Sequence, residues 1–122
     1  MSGARRRALQ LGADAEVRVT DALIAQGWAV LARNWKGGRG ELDIVVQKKG
    51  HLRFVEVKAR ETYIAGVESL TNVKQKRLIS AGEAWLTQFG EPETDVGFVL
   101  AVVAGTHSSS TIHWLDDPFD GS

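Results

Sequence analysis

Two alternating segments joined by a short polar turn constrain the fold more than any other feature of the sequence. Residues 41–47 read Glu-Leu-Asp-Ile-Val-Val-Gln, and residues 52–59 alternate again after a turn over residues 48–51. Alternation with period two is typical of β-strands, and a glycine-containing turn between two such runs predicts a β-hairpin. A chain with this hairpin near its centre has to extend the sheet and cover at least one of its faces.

The segments on either side of the hairpin predict two helices. Residues 4–26 form the first helix, with a stripe at spacings of three and four made of Leu9, Gly12, Glu16, Val19 and Leu23. Thr71 or Asn72 caps the second helix, which runs to about Phe89. Its apolar stripe consists of Leu78, Ala81, Trp85 and Phe89. Both helices therefore have one face suited to packing on a sheet.

Three further strands complete the predicted sheet. Residues 28–33 form a short strand, and a flexible glycine-rich connection over residues 34–40 leads from it to the hairpin. Residues 96–104 are an almost continuous apolar run, which is typical of a central strand buried on both faces. Residues 111–115 form the last strand. The element order α-β-β-β-α-β-β predicts an α/β fold with a mixed central sheet flanked by helices.

The length of 122 residues predicts a single domain. Its ends, over about residues 1–6 and 116–122, are expected to fray. Residues 61–70 show no periodicity and are interpreted as a mobile loop. No apolar stretch reaches the length of a signal peptide or of a membrane span, so we expect a cytoplasmic protein with no membrane association.

The zero net charge hides an asymmetry along the chain. All 15 basic residues lie between Arg5 and Arg77, together with eight acidic residues, so this segment has a net charge of +7 and the remainder −7. One basic face could therefore attract phosphate while an acidic face does not. The other interpretation is a chance gradient. There is no cysteine, which excludes disulfides and thiolate metal sites.

Two carboxylates and a lysine share one face of the predicted hairpin. Period-two alternation places Asp43 on one face of the first strand, with Glu56 and Lys58 on the matching face of the second. Two carboxylates suit Mg²⁺ or Mn²⁺, and the carbonyl of Val57 lies between them as a third ligand. Lys58 could orient or deprotonate a water. The alternative interpretation of Glu-x-Lys is the solvated face of an antiparallel sheet.

Glu16 adds an independent indication of a cation site. It occupies the apolar stripe of the first helix, where an unpaired acid is costly to bury. Gly12, one turn earlier, suggests that another group approaches the helix backbone closely. Glu16 is therefore expected to face Asp43 and Glu56 and to share in binding the metal.

The hairpin motifs also resemble those of a known superfamily. They read Gly40-Glu41-Leu42-Asp43 and Phe54-Val55-Glu56-Val57-Lys58-Ala59-Arg60, and they resemble the PD-(D/E)xK nucleases. The closer resemblance is to the bacterial YraN-like proteins, which themselves resemble archaeal Holliday-junction resolvases. The resemblance also covers residues 12–16, 33–35 and 74–78. It departs at Leu42, where the superfamily usually has proline.

The resemblance implies a restriction-endonuclease-like three-layer core and a function. The catalytic residues of the superfamily fall on Glu16, Asp43, Glu56 and Lys58. They imply a Mg²⁺- or Mn²⁺-dependent endonuclease that acts on DNA, including branched or junction DNA. The rival interpretation is a nucleic-acid-binding protein that keeps the nuclease fold with little or no turnover. A two-fold homodimer, as in the resolvases, and a monomer both remain open.

Several basic and polar residues around these motifs are candidates for nucleic-acid binding. The glycine-rich connection is interpreted as a lip beside DNA. Lys74 stands on the inward stripe of the second helix, so it either contacts phosphate or the site, or it extends past the core to solvent. Gln75 resembles a polar residue near the site of resolvase-like nucleases. The full set of expected contacts is Arg33, Lys36, Arg39, Arg60, Lys74 and Gln75.

Overall fold

The computed structural model describes residues 3–90, 95–105 and 109–119. Its helices are α1 (Gly3–Ala25), α2 (Tyr63–Glu68) and α3 (Asn72–Phe89). Its strands are β1 (Ala29–Gly37), β2 (Gly40–Lys48), β3 (His51–Arg60), β4 (Asp95–Ala104) and β5 (Thr111–Asp116). The predicted order is confirmed, with α2 added between β3 and α3. Within the described ranges, no helix is long and apolar enough to cross a membrane.

The five strands form one mixed sheet in the order β1-β2-β3-β4-β5. All neighbouring pairs are antiparallel except β3 and β4, which are parallel. A parallel pair needs a crossover connection, and α2 and α3 supply it here. The predicted mixed sheet is therefore confirmed, with β4 as an inner strand.

Helices cover both faces of this sheet, so the protein has three layers and two apolar cores. On one face α1 packs through Ala15, Val19 and Leu23 against a strand cluster that includes Ile44 and Val55. On the other face α3 packs against the opposite set of strand side chains. That second core includes Leu42, Val45, Phe54, Leu78, Ala81, Trp85, Leu100 and Val102. The sheet is thus buried on both sides, as in other α/β proteins.

The predicted β2–β3 hairpin is confirmed to within one residue at each end. Its last ladder pair is Lys48 with His51, which leaves a two-residue loop. Lys49 and Gly50 both have positive φ, 50° and 82°. Two positive φ values in a two-residue loop match the right-handed twist of the flanking strands. The turn therefore sets the register that brings the β2 and β3 side chains together.

Residues 61–70 contain helix α2, so their interpretation as a mobile loop was wrong. The Thr62 side chain caps the helix by accepting a hydrogen bond from the backbone N–H of Ala65. Gly66 is buried, and a Cβ there would lie 2.4 Å from Val102 Cγ1. Six residues are too few to show a helical period, and this helix is held by close contact with β4.

Helix α1 differs from its predicted stripe. Its buried residues are Ala15, Val19, Thr20 and Leu23, whereas the side chain of Leu9 is 58% exposed. A Cβ at Gly12 would meet nothing within 4 Å, so no described group approaches the helix there. The helix is already formed at Gly3, which corrects the expected fraying of residues 3–6. The buried face of α1 therefore includes Ala15, whose small side chain contributes little to an apolar pattern in the sequence.

The glycine-rich connection is shorter and more firmly packed than predicted. Strand β1 continues to Gly37, which pairs with Gly40, so the predicted lip is the tip of a β-hairpin. The tip lies on α3, where the backbone N–H of Arg39 donates to Ser80 Oγ at 3.0 Å. A Cβ at Gly40 would lie 2.4 Å from the carbonyl oxygen of Arg77. The expected flexible lip is therefore corrected to a turn that packs on α3.

The chain after β5 is also tied to the sheet. The backbone N–H of Asp117 donates to the carbonyl of Phe98 at 3.0 Å. The Phe119 ring packs on Phe98 with centroids 4.8 Å apart. Fraying of residues 116–119 was therefore wrongly predicted. The expectations for residues 1–2 and 120–122 lie outside the described residues.

We expect Gly66→Ala to lower the free energy of unfolding by about 1–3 kcal/mol, because the added methyl group overpacks the contact between α2 and β4. Gly12→Ala is the matched control. It should raise the free energy of unfolding by about 0.5–1 kcal/mol, since alanine is favoured in an open helical position. Urea unfolding of both variants measures the difference. A Gly66→Ala protein as stable as the wild type would contradict the close packing of α2.

Candidate functional site

The site begins where β2 and β3 part. Their ladder runs from Lys48 and His51 to Ile44 and Val55 and then stops. Beyond it, the backbone N–H of Val57 donates to Asp43 Oδ2 at 2.8 Å. A side-chain carboxylate thus takes the place of a strand carbonyl, and the Asp43 side chain is held between the two strands.

The alternation of side chains along β2 also changes at Asp43. Leu42 belongs to the core beneath α3, whereas Ile44 belongs to the core beneath α1. Residues two apart on a regular strand share a face, so the alternation is interrupted at Asp43. The interruption explains how a carboxylate reaches the gap between strands that are otherwise buried on both sides.

Glu56 and Lys58 follow Phe54 on the α3 face of β3. Lys58 Nζ lies 3.4 Å from Glu56 Oε2, and the side chains are only 15% and 13% exposed. The other carboxylate oxygen, Glu56 Oε1, is buried without a hydrogen-bond partner in the described residues. An unpaired buried carboxylate oxygen is costly, so this atom is available to bind a cation.

A cavity of about 760 Å³ contains Asp43, Glu56 and Lys58 together, and we refer to it as the Asp43 cavity. The hairpin tip and the first turns of α3 form its walls. Its remaining charged lining residues are Lys36, Arg39, Glu41, Lys74 and Arg77. Within the described part of the chain, the four basic residues of this list form no ion pair. The cavity thus has unpaired positive groups around a carboxylate pair.

The electrostatics of Asp43 are unusual for an aspartate. Burial raises its pKa from an ordinary value of 3.8 to about 8, and the adjacent Glu56 carboxylate adds to the rise. The hydrogen bond from Val57 and the charge of Lys58 oppose the rise without cancelling it. Two carboxylates in contact cannot both stay ionised unless something positive lies between them. Ionisation of Asp43 is therefore unfavourable unless a cation lies beside the two carboxylates.

Glu16 lies on α1, the helix that covers the other face of the sheet, and it does not line the Asp43 cavity. Burial raises the pKa of Glu16 and the charge of Asp43 raises it further, whereas Arg33 and a hydrogen bond with Asn34 lower it. Glu16 is therefore close enough to Asp43 to interact with its charge. The described hydrogen bond of its carboxylate is to β1.

Three of the residues predicted to contact nucleic acid do not line the Asp43 cavity. Arg33 is an exposed residue of β1 that acts on the charge of Glu16. Arg60 donates to the carbonyl of Ala59 at 2.8 Å and lines a separate cavity beside α1. Gln75 donates to the carbonyl of Leu70 at 2.9 Å, which fixes the connection before α3. The structure brings Lys36, Arg39 and Lys74, but not these three, to the Asp43 cavity.

Arg77 is a cavity residue that the sequence analysis missed. It lines the Asp43 cavity from α3, one turn after Lys74. Residues three apart on a helix lie on neighbouring positions of one face, so the spacing to Lys74 could have identified it. The packing of Gly40 on the Arg77 backbone could not have been recognised in the sequence.

The donors fit a hard divalent cation only in part. Among the residues that the structure describes, no group of three or more histidine, cysteine or acidic side chains could hold a metal ion. A magnesium ion often uses only one or two protein carboxylates, with water and substrate phosphate as its other ligands. Asp43, Glu56 and the Val57 carbonyl suit such a site. Glu56 Oε1, which has no hydrogen-bond partner among the described residues, is an oxygen available as a metal ligand.

The fold and the cavity define a three-layer α/β protein with a buried carboxylate pair and a neighbouring lysine. The chain belongs to the Uncharacterised protein family UPF0102, whose sequence profile matches residues 15–103. This confirms the YraN-like family that the motifs resemble. The matched range includes Glu16, both hairpin motifs and helix α3.

Relatives in this family resemble the chain over much of its length. A UPF0102 protein of Acidiphilium cryptum (strain JF-5) is 39% identical over 120 residues, covering 96% of this chain and 94% of the relative. A UPF0102 protein of Nitrobacter winogradskyi is 41% identical over 90 residues, covering 74% and 76%. One from Rhodopseudomonas palustris (strain BisB5) is 45% identical over 82 residues, covering 67% and 63%.

The raised pKa of Asp43 predicts a stability that falls with pH. Folding favours its protonated form, so this contribution is complete below the unfolded-state pKa of about 3.9 and is lost as the pH rises through 8. An asparagine at this position would keep an acceptor for the Val57 N–H and carry no charge. We therefore expect Asp43→Asn to gain stability relative to the wild type as the pH rises from about 5 to 9.

Urea unfolding in the presence of a chelator measures this difference. Asp21→Asn, on the exposed surface of α1, is the matched control and should follow the wild-type pH profile. A difference between Asp43→Asn and the wild type that does not change with pH would show that Asp43 is not held in an unfavourable environment.

Proposed function

We propose that this protein is a Mg²⁺- or Mn²⁺-dependent endonuclease that hydrolyses phosphodiester bonds of DNA. The observation that carries the proposal is the Asp43–Glu56 pair with Lys58 beside it, in a cavity whose other basic residues form no ion pair within the described ranges. Phosphodiester hydrolysis needs a positioned water, neutralisation of the phosphorus-bound oxygens and help for the leaving oxygen. Lys58 suits the first requirement, and a cation held by the carboxylates would serve the other two.

Asp43, Glu56 and the Val57 carbonyl would hold the cation. When bound, a divalent cation neutralises the phosphorus-bound oxygens. The Val57 N–H keeps the Asp43 carboxylate fixed in the strand gap. Lys58, whose Nζ lies 3.4 Å from Glu56 Oε2, would orient the attacking water and place positive charge near the phosphate as an ammonium, or would take a proton from that water as a neutral amine. Glu16 acts on Asp43 from the α1 side through its charge.

The resemblance to the PD-(D/E)xK superfamily and to Holliday-junction resolvases supports the same chemistry. The superfamily's aspartate and ExK pair fall on Asp43, Glu56 and Lys58, and these three side chains line one cavity. The resemblance also suggests branched DNA as a substrate. This suggestion comes from the sequence motifs, and it requires a direct test of substrates.

Turnover is tested by incubating the protein with Mn²⁺ and a panel of duplex, single-stranded, flap and four-way-junction DNAs. We expect cleavage of at least one substrate and its loss on addition of a chelator. Asp43→Asn, Glu56→Gln and Lys58→Met should each reduce the rate by about a hundredfold or more, since each removes a charged group from the reacting centre.

Lys49→Asn is the control, because it removes a positive charge in the β2–β3 turn, which the Asp43 cavity does not include. It should leave the rate unchanged. Metal-dependent DNA binding without cleavage of any substrate would instead support the rival, a binding protein with a nuclease fold. Paired cuts in the junction would require a homodimer, since the described part of each chain holds one such cavity, whereas nicks are expected from a monomer.

DNA binding is expected to depend strongly on salt. If roughly five phosphates are neutralised, log K should fall with log salt at a slope of about −4 to −5 on duplex DNA. Replacing Lys36, Arg39 and Lys74 together by glutamine should make the slope less negative by about three, whereas Lys49→Asn should leave the slope unchanged. Fluorescence anisotropy in a chelator measures both. Binding that is insensitive to salt would contradict an electrostatic wall around the cavity.

A further inference from the structure

A second concave surface adjoins the Asp43 cavity, and we refer to it as the outer cleft. Its volume is about 530 Å³, and the residues that line it include Arg39, Val73, Lys76, Arg77, Ile79 and Glu83. Arg39 and Arg77 line both concavities, so the two are adjacent. The hydrogen bond between the Arg39 N–H and Ser80 Oγ fixes the hairpin tip on α3. We refer to the boundary that Arg39 and Arg77 share between the two concavities as the ridge.

The outer cleft combines positive charge with exposed aliphatic surface. Val73 is 59% exposed and Ile79 is 37% exposed, although both belong to a helix whose opposite face is buried. Lys76 lies between them in sequence, and in the part of the chain that the structure describes it forms no ion pair. Exposed aliphatic side chains beside unpaired cations suit a ligand with both a flat apolar part and an anionic part.

We propose that the outer cleft binds a single-stranded DNA segment that flanks the phosphate held in the Asp43 cavity, with a base on Val73 and Ile79 and phosphates on Arg39, Lys76 and Arg77. This inference rests on the proposed function and specifies its substrate as DNA with an unpaired arm. A strand that crosses the Arg39–Arg77 ridge passes directly from one concavity to the other.

The aliphatic residues favour a single strand over a duplex. Bases in a duplex are stacked on one another, so a duplex presents mainly phosphates to a protein surface that does not enter a groove. An unpaired base exposes its faces, which pack on apolar side chains while the backbone follows basic residues. A cleft of this volume also falls in the range that holds a small ligand, about 300–1,000 Å³.

Glu83 marks where the bound strand should end. It is the acidic residue among those that line the outer cleft, and it is two turns beyond Lys76 on α3. A carboxylate repels a phosphate, so the favourable path for the strand runs from the ridge to Lys76 and not past Glu83. The cleft therefore has room for only a short arm.

Fluorescence anisotropy in a chelator tests this inference without turnover. The wild-type protein is titrated with a blunt duplex, the same duplex with a single-stranded arm of about six nucleotides, and a third duplex whose arm has the same phosphates but abasic sugars. The armed duplex should bind about three- to tenfold more tightly than the blunt one. The abasic arm should lose most of this gain, because only the base contacts are removed.

The double variant Val73→Ser/Ile79→Ser should bind the armed and abasic duplexes with equal affinity and the blunt duplex as the wild type does. Ile64→Ser is the matched control, since Ile64 is 66% exposed on α2 and does not line the cleft. It should keep the wild-type preference. All three positions are exposed, and the abasic arm tests the base contact in the unaltered protein.

Equal binding of all three DNAs by the wild-type protein would overturn this inference and leave the proposed cleavage standing. A preference for the armed duplex without any cleavage in Mn²⁺ would overturn the proposed function and leave the cleft as a binding site. Self-association that is lost in the Val73→Ser/Ile79→Ser variant, with no arm preference, would overturn the inference and assign the surface to a second copy of the chain.

Discussion

The hydrogen bond from the Val57 N–H to the Asp43 carboxylate is the interaction on which the site depends. A strand that leaves its partner exposes backbone N–H groups, and one left unsatisfied in a buried position costs about 1–3 kcal/mol. Here the Asp43 side chain supplies the missing acceptor at 2.8 Å. The two strands can therefore part inside a covered sheet and open a cavity without leaving this donor unpaired.

The same departure from regular pairing positions the walls of the cavity. Because the alternation of β2 is interrupted at Asp43, Leu42 joins the core beneath α3, and the hairpin tip continues onto that helix. Gly40 permits this approach, since a Cβ would meet the Arg77 carbonyl at 2.4 Å. Basic residues from β1, the tip and α3 thus surround one opening, although they are far apart in sequence.

The sequence predicted those parts of the fold whose patterns are local. The β2–β3 hairpin was predicted from its alternation and its turn, helix α3 from its apolar stripe, and strand β4 from its continuous apolar run. Helix α2 was not, because its packing depends on the fit of Gly66 against Val102 on a distant strand. The stripe of α1 was misplaced by Leu9, an apolar side chain that remains exposed.

The residues of the candidate site were likewise predicted only in part from the sequence. Strand alternation predicted Asp43, Glu56 and Lys58 on one face, and these three side chains do line one cavity. Asp43 reaches the cavity, however, from the residue at which the alternation of β2 is interrupted, and no pattern in the sequence indicated that interruption. Strand alternation could not place Glu16 and Gln75, whose described side-chain hydrogen bonds are to Asn34 and Leu70. These partners come from other elements, and no spacing in the sequence relates them to the hairpin.

The cavity keeps its opposite charges largely apart, and this separation is unfavourable in the protein alone. Five basic and three acidic residues line it, yet the described ion pair is that between Lys58 and Glu56. Burial makes ionisation of Asp43 difficult, while Lys36, Arg39, Lys74 and Arg77 form no ion pair with the acidic residues that the structure describes. A divalent cation on the carboxylates and a phosphate on the basic residues would neutralise both sets at once, and each would attract the other. The proposed substrate complex would therefore neutralise the buried carboxylates and the basic residues of the cavity together.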